Sequence, residues 1–328
     1  MPTCAKCAGS EREDMSRISI VVPVYYNSDT LMMLYEDMKE KILQKLGDYE
    51  LVFVDDGSGD DSWKIMNQIR EAEPAGRVQC VKLSRNFGEH AALLAGLSVC
   101  TGDCAVTKQA DLQEDSEIIL EMYESWKKGN KVVLAVRKER DENFLKKFFA
   151  HMYYVIIHRF VQDKMPVGGC DCYLIDRKVI EVLERLDEKN SSLTLQVLWA
   201  GFQTDSIYFH RKDREVGKSR WTLSKKVKLA MDSMMSFSYA PIRFMSGVGV
   251  AFFILSILMM IEVIVEKFAV GTPILGWASL MCVVLFSFGV MMLMMGMLGE
   301  YVWRALDASR NRPPFLIDEV VKSEEEDS

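Results

Sequence analysis

The hexapeptide Lys108-Gln109-Ala110-Asp111-Leu112-Gln113 puts an acidic residue shortly after a short apolar run, Cys104 to Thr107. In a region where strands and helices alternate, the end of a strand is where an open α/β sheet receives its ligands. A carboxylate there can hold a hard divalent cation through oxygen, and the cation can neutralise a diphosphate leaving group. Asp111 is the first catalytic and metal-ligating candidate on this ground. A plainer reading makes it only the start of a turn, with Asp115 and Ser116 offering N-caps to the next helix. The hexapeptide alone does not separate the two.

The elements that must position such a loop can be read on either side of it. Ile18 to Val22 is β-branched apart from Ser19, as in a buried parallel strand, and Leu31, Leu34, Met38, Ile42 and Leu46 follow at helical spacing. A strand at Leu51 to Val54 ends in Asp55-Asp56-Gly57-Ser58, and Ser62 to Ile69 is helical in pattern. Strand Val78 to Leu83 leads to helix Glu89 to Val99, strand Cys104 to Thr107 to helix Ser116 to Lys127, and Lys131 to Val136 is a further strand. This alternation predicts an α/β fold, a parallel-dominated sheet with helices on both faces. Beyond Arg137 the alternation ends in an aromatic-rich helical stretch, Phe144 to Val161, whose His151 and His158 suit packing or an interface better than a metal.

The C-terminal third has a different composition. The chain has 328 residues and is 49% hydrophobic, and two runs, Phe244 to Val265 and Ile274 to Leu298, are long enough to cross a bilayer. Lys225, Lys226, Lys228 and Arg243 precede the first run, Arg304, Arg310 and Arg312 follow the second, and the loop between offers only Lys267. By the positive-inside rule the N-terminal region and the C-terminal tail are cytoplasmic, and the loop near Gly271 and Pro273 is outside. Leu223 to Phe237 is basic and amphipathic, and is predicted to lie on the membrane surface. The polar N-terminus shows no cleavable signal. A net charge of −7 argues against a nucleic-acid binder. Eight cysteines in a cytoplasmic setting are expected to stay reduced, and Cys4 and Cys7 have no second pair at a zinc-ribbon spacing.

Several stretches together are similar to one family: Val22-Pro23-Val24-Tyr25, Val54-Asp55-Asp56-Gly57-Ser58, Leu83-Ser84-Arg85-Asn86-Phe87-Gly88, Ala110-Asp111-Leu112-Gln113, Arg214-Glu215-Val216-Gly217-Lys218-Ser219-Arg220-Trp221 and Arg312-Pro313-Pro314-Phe315-Leu316-Ile317. In order and spacing they resemble the family 2 glycosyltransferases that load a sugar onto a polyprenyl phosphate, such as bactoprenol glucosyltransferases and dolichyl-phosphate mannose synthases. The resemblance runs from about Ile18 to Val320. It implies a glycosyltransferase A-type sheet, followed by the surface amphipathic helix and two transmembrane helices. It also implies an inverting transfer from a nucleotide-sugar to a polyprenyl phosphate at the cytoplasmic membrane face.

The resemblance further implies that Pro23, Tyr25 and Asp55 hold the base and ribose. Gln109, Ala110, Asp111 and Gln113 would line the diphosphate and a divalent metal, Mg2+ or Mn2+, with Asp111 as its ligand. Arg137, Arg214 and Arg220 would contact phosphates, with Arg137 and Arg220 joining Asp111 as catalytic residues. These assignments suit the chemistry, because arginine forks match phosphate oxygens and Asp55 can accept from a base or ribose. For Asp55 to Asp61 a turn with helix caps can coexist with binding. Two positions depart from the family: Gln109 stands where it usually has aspartate, and Asn27 where many relatives carry glutamate. Two other functions fit the same pattern, an inactive membrane-anchored nucleotide-sugar-binding protein and a processive polysaccharide synthase. The expected partners are the donor, the lipid acceptor and the membrane, with a homo-oligomer left open. The expected boundaries are a mobile leader over 1–16 and a catalytic domain over 17–215. A phosphate-binding loop with the juxtamembrane helix follows over 216–241, the transmembrane pair over 242–299 and a tail over 300–328.

Overall fold

The β-branched runs become the centre of one sheet. In the computed structural model, which describes residues 16–137, 165–166, 169–186, 192–209, 234–238, 240–270 and 276–322 together with His158 and Asp232, the strands β1 (Ile18–Val24), β2 (Tyr49–Asp55), β3 (Val78–Leu83) and β4 (Cys104–Thr107) are parallel neighbours in the order β4-β1-β2-β3. The helices between them are α1 (Ser28–Met38), continued by a π-helical turn over Lys39–Leu43, then α2 (Ser62–Ala72) and α3 (Glu89–Val99). Helix α4 (Ile118–Lys127) leads from β4 to β5 (Val132–Arg137).

Beyond Arg137 the sheet continues where the sequence pattern loses its regularity. Strand β6 (Cys170–Asp176) lies between β4 and β5 and runs antiparallel to both. Helices α5 (Arg177–Arg185) and α6 (Leu193–Trp199) precede β7 (Thr204–Phe209), which is parallel to β5. A final strand, β8 (Ile317–Lys322), pairs antiparallel with β3. The complete order is β7-β5-β6-β4-β1-β2-β3-β8.

Side chains alternate between two cores, as a period of two requires. Ile18, Ile20 and Val22 face Leu34, Met38, Met66, Ile119 and Trp126 of α1, α2 and α4. Val21, Val52 and Val54 face Leu93 and Leu97 of α3, with Val179 and Ile180 of α5 in the same core. Helix α3 approaches the sheet so closely that a Cβ on Gly96 would lie 2.3 Å from Val21 Cγ1. At the N-terminal ends of the strands the fully buried carboxylate of Glu50 accepts from Ser19 Oγ at 2.7 Å, the Thr101 amide at 2.8 Å and Gln79 Nε2. Burial of that charge is tolerable because these donors replace its water. Cys80, Cys100, Cys104, Cys170 and Cys172 are buried and unbridged.

The chain divides into two units, Met1–Leu229 with Pro313–Ser328, and Ala230–Arg312. The second contains α7 (Ala240–Val270) and α8 (Trp277–Ser309). Their segments Pro241–Glu262 and Phe286–Ser309 are long and apolar enough to cross a membrane, with mean hydropathies of 2.4 and 1.3 and none of either window buried. The second segment lies further along the chain than Ile274 to Leu298. Within this unit Phe252 and Phe286 pack at 5.6 Å, and Arg304 bridges Glu300 and Asp232. The segment over 300–328, read from sequence as a tail, contains the sheet strand β8. All but the last residue of the leader, most of Phe144 to Val161 and most of Leu223 to Phe237 lie outside the described residues.

Candidate active site

The carboxyl ends of β1, β2 and β4 are adjacent and point one way, so the loops that follow them share one crevice. The β1 loop is stitched to the β2 loop by backbone amides donating to side chains: Tyr26 to Ser58 Oγ at 3.0 Å, Asn27 to Ser62 Oγ at 3.0 Å and Ser28 to Asp60 Oδ2 at 3.3 Å. Tyr26 adopts a left-handed φ of 53°, and its ring meets that of Tyr25 edge-on at 4.8 Å. Both tyrosines are partly exposed, at 38% for Tyr25 and 43% for Tyr26. Large exposed rings beside a buried acid give a base a surface to lie against. Asn27 accepts from the Tyr25 amide at 2.9 Å and its Nδ2 donates to Thr30 Oγ1 at 3.4 Å, so this residue orders the loop.

The pair at the end of β2 divides its work. Asp56 accepts from the Phe87 and Gly88 amides at 2.7 and 2.9 Å, fixing the approach to α3. Gly57 has φ 70°, and a Cβ there would sit 2.7 Å from the Arg85 carbonyl carbon, so the turn requires glycine. Asp55 is fully buried and accepts from the Ser58 amide through Oδ1 at 3.0 Å. Its Oδ2 is buried with no hydrogen-bond partner among the described residues. Burial pushes the Asp55 carboxyl above the usual carboxylate range, against the pull of Ser58. Such an oxygen is suited to accept from a ligand donor.

The loop after β4 is braced from two sides. Thr30 Oγ1 donates to the Ala110 carbonyl at 2.7 Å. The Lys108 side chain, fully buried, donates to the Glu114 carbonyl at 2.5 Å and lies 3.9 Å from the buried Glu114 carboxylate. Between these braces Asp111 Oδ1 accepts from the Gln113 amide at 3.2 Å, and Leu112 takes a φ of 58°. Gln109 leaves the loop and donates through Nε2 to Glu89 Oε1 at 2.6 Å, at the start of α3. Arg137 ends β5 at the same sheet edge, because β5 runs in the direction of β4. Pro23, Tyr25, Asp55, Gln109, Ala110, Asp111, Gln113 and Arg137 therefore gather at one edge.

Arg214 and Arg220 lie outside the described residues, as do Lys225, Lys226 and Lys228. Asp176 sits at the opposite edge, paired with Cys104 at the start of β4. It accepts from Trp126 Nε1 and Lys131 Nζ, both at 2.9 Å, and caps α5 through the Lys178 amide. Thr30, Glu89 and Glu114 carry no signal in the sequence pattern. Each acts through a partner remote in sequence or through burial, which spacing does not signal.

Among the described residues no three His, Cys, Asp or Glu side chains form a self-contained metal cage. The crevice offers oxygen donors instead: Asp111 and Gln109 on one loop, with Glu89 bonded to Gln109. Carboxylate and amide oxygens are the ligand types a hard divalent cation takes, with phosphate and water completing its shell.

Glycosyl transferase family 2 is the family whose pattern matches residues 19–184. An uncharacterised glycosyltransferase of Bacillus subtilis (strain 168), YkcC, is 37% identical over 91% of this chain and 92% of its own length. The bactoprenol glucosyl transferase of Shigella phage SfV is 32% identical over 92% of this chain and 98% of its own. A prophage bactoprenol glucosyl transferase homolog of Escherichia coli (strain K12) is 30% identical over 93% of this chain and the whole of its own.

Proposed function

Because the chain belongs to glycosyltransferase family 2, we propose that it transfers a sugar, with inversion, from a nucleotide-sugar to a polyprenyl phosphate at the cytoplasmic face of a membrane. The observation that carries this reading is the pairing of a buried, half-satisfied Asp55 with the braced Asp111 loop at one sheet edge. Two features support the lipid acceptor. Relatives named bactoprenol glucosyl transferases match nearly the whole chain, and two helices expose apolar surface along their entire hydrophobic windows.

Asp55, Pro23 and Tyr25 take the base and ribose, with the Asp55 Oδ2 accepting a hydrogen bond from the nucleotide. Gln109, Ala110, Asp111 and Gln113 line the diphosphate, and Arg137, Arg214 and Arg220 contact phosphates. A phosphate monoester has a second pKa of about 6, so its oxygen is already anionic near neutral pH. That oxygen attacks the anomeric carbon and forms the new C–O bond as the bond to the β-phosphate breaks. The electron pair leaves on the nucleoside diphosphate, and no strong general base is needed. The protein's contribution is alignment and stabilisation of the departing charge. A divalent cation, held by Asp111, would neutralise that leaving group.

The test is purified full-length protein in lipid nanodiscs, offered a panel of labelled nucleotide-sugars with a polyprenyl phosphate. The expected product is a lipid-extractable sugar phosphate carrying one sugar and the opposite anomeric configuration. Nucleotide-sugar binding without transfer would make the protein an inactive binder, and polymer would make it a processive synthase. Either result overturns the proposal.

A further inference from the structure

We propose that Glu89 is the second carboxylate of the donor diphosphate site, so that a bound divalent cation faces Asp111 from one element and Glu89 from another. This rests on the donor-site reading above and adds a residue to it. The loop after β4 contributes Asp111 and the neutral Gln109, on either side of an Ala110 whose carbonyl Thr30 holds. Gln109 is in turn bonded to an acid outside its own loop, with Nε2 and Glu89 Oε1 at 2.6 Å. An amide facing a carboxylate must present its NH2, which keeps its carbonyl oxygen as a neutral ligand for a cation.

Glu89 is also placed with little freedom. It opens α3 directly after Phe87 and Gly88, whose amides are fixed by Asp56, and Asp56 follows the same strand as the donor-side Asp55. A carboxylate has about four acceptor positions, and the Gln109 amide occupies one. The Lys108 ammonium is committed to Glu114. A magnesium-like cation bound by one or two carboxylates and completed by substrate phosphates matches this layout. The plainer role for an acid in the first turn of a helix is interaction with the helix dipole. That role needs neither Gln109 nor a cation, so the two make different predictions.

The experiment reads Mn2+ binding directly, by the loss of the free-ion EPR signal. It uses full-length protein in detergent with uridine diphosphate or guanosine diphosphate, alongside a thermal melt. Glu89→Gln should weaken Mn2+ binding by about tenfold or more. Gln109→Asp in the same chain should restore it to within about threefold, because it returns the missing charge to the adjacent loop position. Parental Mn2+ affinity in Glu89→Gln, with or without a lower melting temperature, overturns the proposal and leaves the nucleotide site standing. Nucleotide binding without Mn2+ in the parent overturns it as well. If the parent binds neither nucleotide nor Mn2+, the donor-site reading fails too.

Discussion

At the scale of single residues, the site depends on which acids are already satisfied by the fold. Asp56 is occupied by two amides, whereas Asp55 keeps a buried oxygen with no hydrogen-bond partner among the described residues. Because burial raises the Asp55 pKa, the folded chain binds a proton more readily than the unfolded chain. Its ionised form therefore costs stability at neutral pH, and that cost fades as pH falls through the raised value towards that of the unfolded chain. Asp55→Asn should melt at a higher temperature than the parent at pH 7, with the gap narrowing on acidification. The same variant should lose about tenfold or more in nucleotide affinity by calorimetry, because a hydrogen bond to a charged group is removed. Asp111→Asn should stay folded and nearly abolish turnover. Turnover near the parent's with metal supplied would remove Asp111 from the reaction. The places of Asp55 and Asp111 at strand ends were legible because both follow apolar runs in an alternating chain. Glu89 and Thr30 were not, since their partners lie 20 and 80 residues away.

At the scale of elements, the strands from Ile18 to Arg137 were legible because each is a short apolar run bounded by polar turns, and a parallel strand covered on both faces must read that way. The π-helical turn at Lys39–Leu43 was not, since Leu31, Leu34, Met38, Ile42 and Leu46 keep an ordinary helical spacing through it. Strand β8 was hidden for another reason. Ile317-Asp318-Glu319-Val320-Val321-Lys322 has most of its side chains exposed, and its place comes from pairing with β3, not from a hydrophobic face. The β4 loop illustrates how an element can be held by a buried charge. Lys108→Met would leave the Glu114 carboxylate buried beside a lost donor, and should cost on the order of 3 kcal/mol. Adding Glu114→Leu should recover most of the melting temperature, while kcat stays low because the loop carrying Asp111 has lost its brace. Recovery of kcat together with stability would show that Lys108 supports the fold alone.

At the scale of the whole molecule, hydropathy over about 20 residues marks a segment apolar enough to cross a bilayer, so both apolar helices could be read directly. Where the chain goes afterwards could not. The two-way crossing predicted from the basic residues has a concrete test: a cysteine placed at Gly271 should react with a membrane-impermeant maleimide from outside intact cells. Labelling only after lysis would reverse the orientation. Replacing Lys225, Lys226 and Lys228 with glutamine should weaken use of a long-chain acceptor in anionic vesicles and leave nucleotide binding unchanged. Added salt should shrink the difference. The pairing of β3 with β8 also sets an order of events during synthesis. The outer edge of β3 gains its partner only after both apolar helices have left the ribosome, and until then it is an uncovered template for another chain. A shortened protein that stops before α7 would carry that open edge permanently and should precipitate. One that joins residue 229 to residue 313 through a flexible linker keeps the last strand, and with it a route to a soluble catalytic unit.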